Sequence, residues 1–190
     1  MMNEKELPVY AALDRMGIEY IRIEHPAAAT MEACAAIGEG TGASHCKNLF
    51  LTNRQGTAFF LVMLGSSKKF RTASVSKQLG VARLSFTTAE QLENILGLTQ
   101  GSVTVTGLLN DTTHCVHVAI DRDLLSEERI LIHPNINTAS LVVKTSDILH
   151  FLDLLGYEFT PIAVEDAENA LYNRNKSMRV CGCQKPPCRV

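Results

Sequence analysis

Apolar residues along this chain recur in two rhythms, one helical and one alternating, and their succession marks out the elements. Val9, Ala12, Leu13 and Met16 repeat at helical spacing and Gly17 follows as a stop, which predicts a first helix over 4–16. Residues 20–24 read as a strand closed by His25-Pro26, and a second helix is predicted over 30–37, with Thr30 as N-cap and Glu32 in its first turn. Leu49, Phe50 and Leu51 form a short buried strand; the apolar run 58–64 is its hairpin partner across the turn-like Gln55-Gly56. Beyond Gly65-Ser66-Ser67 a short helix spans 74–79 and ends at Gly80. Ala89, Leu92, Ile95 and Leu96 make another helical stripe, capped by Thr87 or Thr88 and stopped at Gly97. Residues 101–105 are a loop or strand leading to Leu108-Leu109-Asn110-Asp111. The stretch 115–121 alternates, with Val116, Val118 and Ile120 on one face. Strands follow at 129–132 and 140–143, separated by the loop HPNINT at 133–138. A last helix carries Ile148, Phe151, Leu152 and Leu155, with Ser146 as its N-cap. Strands and helices alternate irregularly with hairpins among them, which favours an α/β or α+β fold with a mixed sheet over a doubly wound parallel one.

Length and composition set the frame around this pattern. A chain of 190 residues, 46% apolar, buries a full core as one domain, here placed at 1–164. From Glu165 the pattern fades: residues 174–190 hold five basic residues and no acid and end in CGCQKPPCRV, so 165–190 is read as a basic, cysteine-containing tail. No run approaches the length of a membrane span, and the opening MMNEKELP is too polar for a signal peptide. The expected location is the cytoplasm, with no membrane partner. The net charge of −2 does not advertise a nucleic-acid binder, but Lys68, Lys69, Arg71, Lys77 and Arg83 follow one another with no acid between them. Such a patch either tracks a phosphate backbone or is simply a solvated helical face.

The chemistry-bearing positions exclude more than they assert. There is no GxSxG elbow, no phosphate-binding P-loop and no HExxH helix. His114 and His117 sit on opposite faces of a strand, which argues against a metal pair. Cys34, Cys46 and Cys115 read as small buried hydrophobes. Cys181, Cys183 and Cys188 offer thiols for a soft metal or a redox handle but lack a clear fourth ligand nearby, so no metal and no cofactor are assigned. Lys47 stands out by placement, at the mouth of an apolar strand behind Gly40 and Gly42, where a rigid stem aims a charged head into a cleft. The remaining polar candidates are Asn110, Asp111, His133, Asn137 and the Gly101 loop, all at strand ends or in loops, where sites are usually assembled.

Three stretches in order, CKNLFL (46–51), GSVT followed by LLND (101–111) and IHPNINTAS (132–140), resemble the YbaK-like aminoacyl-tRNA deacylases. These are the freestanding relatives of the editing domain inserted in bacterial prolyl-tRNA synthetase, and the likeness runs from about residue 5 to about residue 160, being nearest to the alanine-type proteins. The resemblance implies a mixed, largely antiparallel central sheet flanked by helices, with a cleft for the 3′-terminal adenosine that carries the amino acid. It matches Lys47 to the family's key lysine, and His133 with Asn137 to its HPxxNT loop. Gly101 opens the family's GxxxP loop at the amino-acid pocket; Ser102 and Asn110 join it as substrate-binding candidates, and Val105 stands where the family has proline. The implied reaction is deacylation of mischarged tRNA by water, with Lys47 holding the substrate and no covalent nucleophile. Cys46 is left out because it faces away from Lys47 along a strand. The implied partners are a mischarged, proline-type tRNA and, as a further candidate, prolyl-tRNA synthetase. Alanine is the first substrate, with cysteine, serine or threonine as alternatives decided at Val105 and the Ser66-Ser67 turn. A non-catalytic tRNA-binding module is the alternative of a different class.

Overall fold

The computed structural model describes residues 3–27 and 37–166. Eight strands form one sheet in the order β1-β7-β6-β2-β3-β5-β8, with β4 attached to β2 off that path. The strands are β1 (Ile21–Glu24), β2 (Ser44–Asn53), β3 (Phe59–Gly65), β4 (Leu84–Phe86), β5 (Val116–Asp121), β6 (Arg129–Ile132), β7 (Ala139–Lys144) and β8 (Phe159–Ile162). The pairings of β1 with β7, β2 with β3 and β4, and β6 with β7 are antiparallel, whereas β2–β6, β3–β5 and β5–β8 are parallel. The expected mixed, mostly antiparallel sheet flanked by helices is therefore the fold of this chain.

Both faces of the sheet's centre are covered, which is why β3 reads as an unbroken apolar run rather than an alternating one. One face packs Phe50, Leu61 and Met63 against helices α1 (Leu7–Arg15), α3 (Ala89–Leu96) and α5 (Thr145–Leu154), through Val9, Leu13, Leu92, Leu96, Ile148 and Phe151. The other packs Leu51, Phe60, Val62 and Leu64 under Val75 of α2 (Thr72–Gln78), together with Leu84 and Ile162. A further short helix, α4 (Arg122–Leu125), follows β5.

Local chemistry fixes the element ends. Thr88 caps α3 in a reciprocal capping box with Gln91, and Gly97 closes it in the left-handed region at φ 65°. The first helix is shorter than its periodicity predicts. It begins at Leu7 because Glu6 is turned inward, accepting from Tyr10 Oη at 2.6 Å and pairing with Arg22 of β1 at 3.0 Å. Ser146 does not cap α5: Lys144 holds that position and Ser146 lies inside the first turn, its hydroxyl on Asp147. The predicted helix over 30–37 and the tail cysteines lie outside the described residues, save for Ile37. Pairing with the domain continues to Asp166, which bridges to Lys68, while Lys69 N donates to the Glu165 carbonyl at 3.1 Å.

Candidate functional site

The site lies where β2 changes partners. Along one edge, Ser44 and His45 pair in parallel with Ile130 and Leu131 of β6, and from Leu51 the same edge pairs with β4. Among the described residues, those between these two contacts have no strand partner on that edge, since β6 ends at Ile132. Continuing the β2–β6 register would set Lys47 opposite His133, and it is between these two that the sheet opens into a cavity of about 150 Å³. Its walls hold Lys47, Cys46 and His45 from β2; Gly101; His133 and Asn137 from the β6–β7 turn; and Ser140 from the start of β7. His25, Ser66, Leu131 and Ile37 complete it. Lys47 is thus a mid-strand residue at a fork rather than at a strand's mouth, and its Nζ donates one long hydrogen bond, 3.4 Å, to the Lys68 carbonyl. Among the described residues Nζ makes no other hydrogen bond.

The β6–β7 turn is held from beneath by buried hydroxyls. Thr104 and Thr106, both 0% exposed, place Oγ1 at 2.9 and 2.8 Å from the His133 carbonyl. Thr106 Oγ1 is also 2.8 Å from Asn135 Oδ1, and Asn135 takes the left-handed conformation at φ 63° that lets the turn close. Gly101, at φ 86°, brings its backbone against this turn: a Cβ there would stand 3.8 Å from Asn137 Nδ2.

Proton positions follow from what carbonyls can do, since they only accept. His133 Nδ1, 3.1 Å from the Ala139 carbonyl, therefore carries the hydrogen, and Nε2 is the acceptor of the neutral ring. Burial holds this imidazole below the ordinary histidine value, and His25 and His45 push the same way against the Ala139 carbonyl, so His133 is neutral at pH 7. By the same argument His25 donates from Nδ1 to the Pro26 carbonyl at 2.9 Å. Its Nε2 stands 2.9 Å from Ser140 Oγ. Ser140 Oγ also stands 3.5 Å from His133 Nδ1, and the two rings tilt toward each other at 6.3 Å. Cys46 lines the cavity from the face of β2 opposite Lys47, and its Sγ donates to the Leu131 carbonyl at 3.0 Å while burial pushes the thiol up to about 12. A thiol so protonated at neutral pH is no nucleophile.

Of the sequence candidates, Lys47, Gly101, His133 and Asn137 meet at this cavity; Ser102, Val105 and Asn110 do not line it. Ser102 Oγ closes its own turn on Thr99 N and O. Val105 opens a 3-10 turn (Val105–Asn110) that rotates it wholly into the core, and Asn110 Nδ2 donates 2.7 Å to the Leu96 carbonyl, satisfying the end of α3. Asp111 is likewise structural: its carboxylate accepts from Val116 N, Cys115 N, Thr113 Oγ1 and Tyr157 Oη, anchoring the start of β5. His25, His45 and Ser140 were not singled out as site residues by the sequence. In sequence His25-Pro26 reads as a strand end and Ser140 as the close of IHPNINTAS and the start of a strand. Lys68 leaves the basic patch: it is 8% exposed, hydrogen-bonds Asp123, and pairs with Asp166 at 3.3 Å and Asp121 at 3.9 Å. Among the described residues no group of three His, Cys, Asp or Glu side chains converges as a metal site, and no helix is long and apolar enough to cross a membrane.

Residues 25–151 match the aminoacyl-tRNA editing domain family. The prolyl-tRNA editing protein ProX of Acetoanaerobium sticklandii is 32% identical over 154 residues, covering 81% of this chain and 94% of that protein. The prolyl-tRNA synthetase associated domain-containing protein 1 of Danio rerio is 31% identical over 151 residues, 78% of this chain and 80% of that one. A solved candidate trans-editing enzyme for prolyl-tRNA synthetase superposes with a TM-score of 0.68 over 88% of this chain and 100% of its own, at 16% identity, a likeness of fold.

Proposed function

Since the chain belongs to the aminoacyl-tRNA editing domain family and is thereby an aminoacyl-tRNA deacylase, we propose that it acts in trans on the mischarged products of prolyl-tRNA synthetase. Alanine on proline tRNA is its first substrate. The observation that carries this reading is the convergence of Lys47, Gly101, His133 and Asn137, from three separate stretches of sequence, on one small cavity. Drug-sized ligands occupy about 300–1,000 Å³. A cavity of about 150 Å³ suits an amino acid, leaving the terminal adenosine across its mouth.

An aminoacyl ester is already labile, so the site needs only a placed water and a charge for the developing oxyanion. Lys47 holds the ester carbonyl and stabilises the oxygen as water adds to the carbon. The tetrahedral intermediate then expels the ribose oxygen, which takes up a proton while the amino acid leaves as its acid. A ribose hydroxyl of the substrate shares in that proton transfer. His133, neutral and with Nε2 as an acceptor, fixes a hydroxyl or amino group of the adenosine together with Asn137. The backbone of Gly101 borders the amino acid. Such an enzyme answers a limit of the synthetase, because one methylene changes binding by only about 1–3 kcal/mol and smaller amino acids pass.

The test is release of amino acid from proline tRNA charged separately with alanine, serine, cysteine and proline, by wild type and Lys47→Ala. Rapid, Lys47-dependent loss of alanine supports the reading. Preferential loss of cysteine or serine moves the substrate, and binding without hydrolysis of any of the four overturns it.

A further inference from the structure

On the side of the sheet that carries Lys47, exposed cations follow the cavity in sequence. Lys47, Leu49 and Leu51 share that face of β2, and the segment after Ser66 crosses it, with the Lys68 carbonyl on Lys47 Nζ. Lys69 and Arg71 come next, Lys77 stands on the solvent side of α2, and Arg83 precedes β4; all four are exposed. None of them makes an ion pair among the described residues; Glu165 lies beside Lys69 and Arg71 without reaching either at 4 Å. Phe70, between Lys69 and Arg71 in sequence, props Phe86 of β4 edge-on at 6.3 Å, a ring 63% exposed. Phe86 pairs with Leu51, four strand residues from Lys47, so the ring is on the order of 13 Å from the lysine along β2.

Unpaired cations beside an exposed aromatic platform fit single-stranded RNA, whose phosphates follow charge and whose bases stack. We infer that this face, Lys69, Arg71, Lys77 and Arg83 with Phe86, docks the single-stranded 3′ tail of the substrate tRNA, an unpaired base stacking on Phe86 while the terminal adenosine reaches the cavity. The inference rests on the deacylase reading for the direction of the strand, and on charge and exposure for the surface itself. It also sorts the basic stretch: its four exposed members face RNA, whereas Lys68 serves the fold.

Two variants test it, Phe86→Ala and the joint Lys69→Ala, Arg71→Ala, Lys77→Ala, Arg83→Ala chain. Each is compared with wild type for binding of uncharged proline tRNA across a salt series. Hydrolysis is then measured on alanyl-tRNA and on the alanyl ester of adenosine, which lacks the upstream nucleotides. Phe86→Ala should weaken tRNA binding roughly tenfold and Phe86→Trp should restore it. The fourfold variant should flatten the salt slope by about 0.7 per lost contact, roughly 3 in all. The short ester should be hydrolysed at the wild-type rate by both. Unchanged affinity and slope overturn the surface, as does equal loss on tRNA and on the short ester, which would place the damage in the cavity. A dimer that Phe86→Ala dissolves without touching tRNA binding gives this face to a second copy of the chain instead. A wild type that binds tRNA through this face yet hydrolyses nothing sustains the surface and overturns the deacylase reading alone.

Discussion

The two halves of β2 are one strand under opposite constraints. From Phe50 to Thr52 it is buried, held by β3 on one side and reaching β4 on the other, with helices over both faces. From Ser44 to Leu49 every residue is half-buried, and the edge beyond His45 has no strand partner among the described residues until Leu51, since β6 ends at Ile132. The first half is where burial stabilises the fold; the second is where a charged side chain meets a cavity without any break in β2's hydrogen bonding to β3. Burial for stability and the candidate chemistry are thus separated by three residues, from Lys47 to Phe50.

That separation can be broken by substitution. Phe50→Ala should cost about 3–5 kcal/mol in denaturant unfolding, while the rate per folded molecule stays near wild type. Lys47→Ala should do the reverse, slowing alanine release by about 10²–10³-fold with the unfolding midpoint unmoved. A shared loss of stability in both would show that the halves are not independent. Thr106→Val tests the floor beneath the site. It keeps the shape but removes a hydroxyl from the His133 carbonyl, and should cost about 1 kcal/mol of stability and raise KM. The smallest effect is in pH. Because burial lowers the folded pKa of His133, the fold disfavours the protonated ring. Stability and activity are therefore present above the unfolded value of 6.5 and decline as pH falls below it through the lower folded value. Replacing His133 by Gln should remove that acid limb from the kcat/KM profile.

Much of this arrangement was legible beforehand, for identifiable reasons. Helix stripes such as Leu92-Ile95-Leu96 and the apolar run of β3 are local signals, and they fixed the elements to within a few residues. Lys47, Gly101, His133 and Asn137 were found by type and by motif order. Ser102, Val105 and Asn110 fell elsewhere because short-range chemistry claimed them: a turn closed by a hydroxyl, a 3-10 turn that rotates a valine inward, and a helix end needing a donor. His45 and the His25–Ser140 pair were not found because pairings between β2 and β6 and between β1 and β7 bring them in, and no periodicity encodes a parallel register between strands some eighty residues apart. Thr104 and Thr106 carry a signal in hindsight, two hydroxyls in an otherwise apolar descent into the core.

The lysine that left the basic patch couples the last described pairing of the domain to the cavity. Lys68 grips Asp166 and, through its own carbonyl, touches Lys47. Asp166, at the C-terminal edge of the described fold, is thus tied through a single residue to the candidate catalytic lysine, so a change at that edge is felt at the cavity wall.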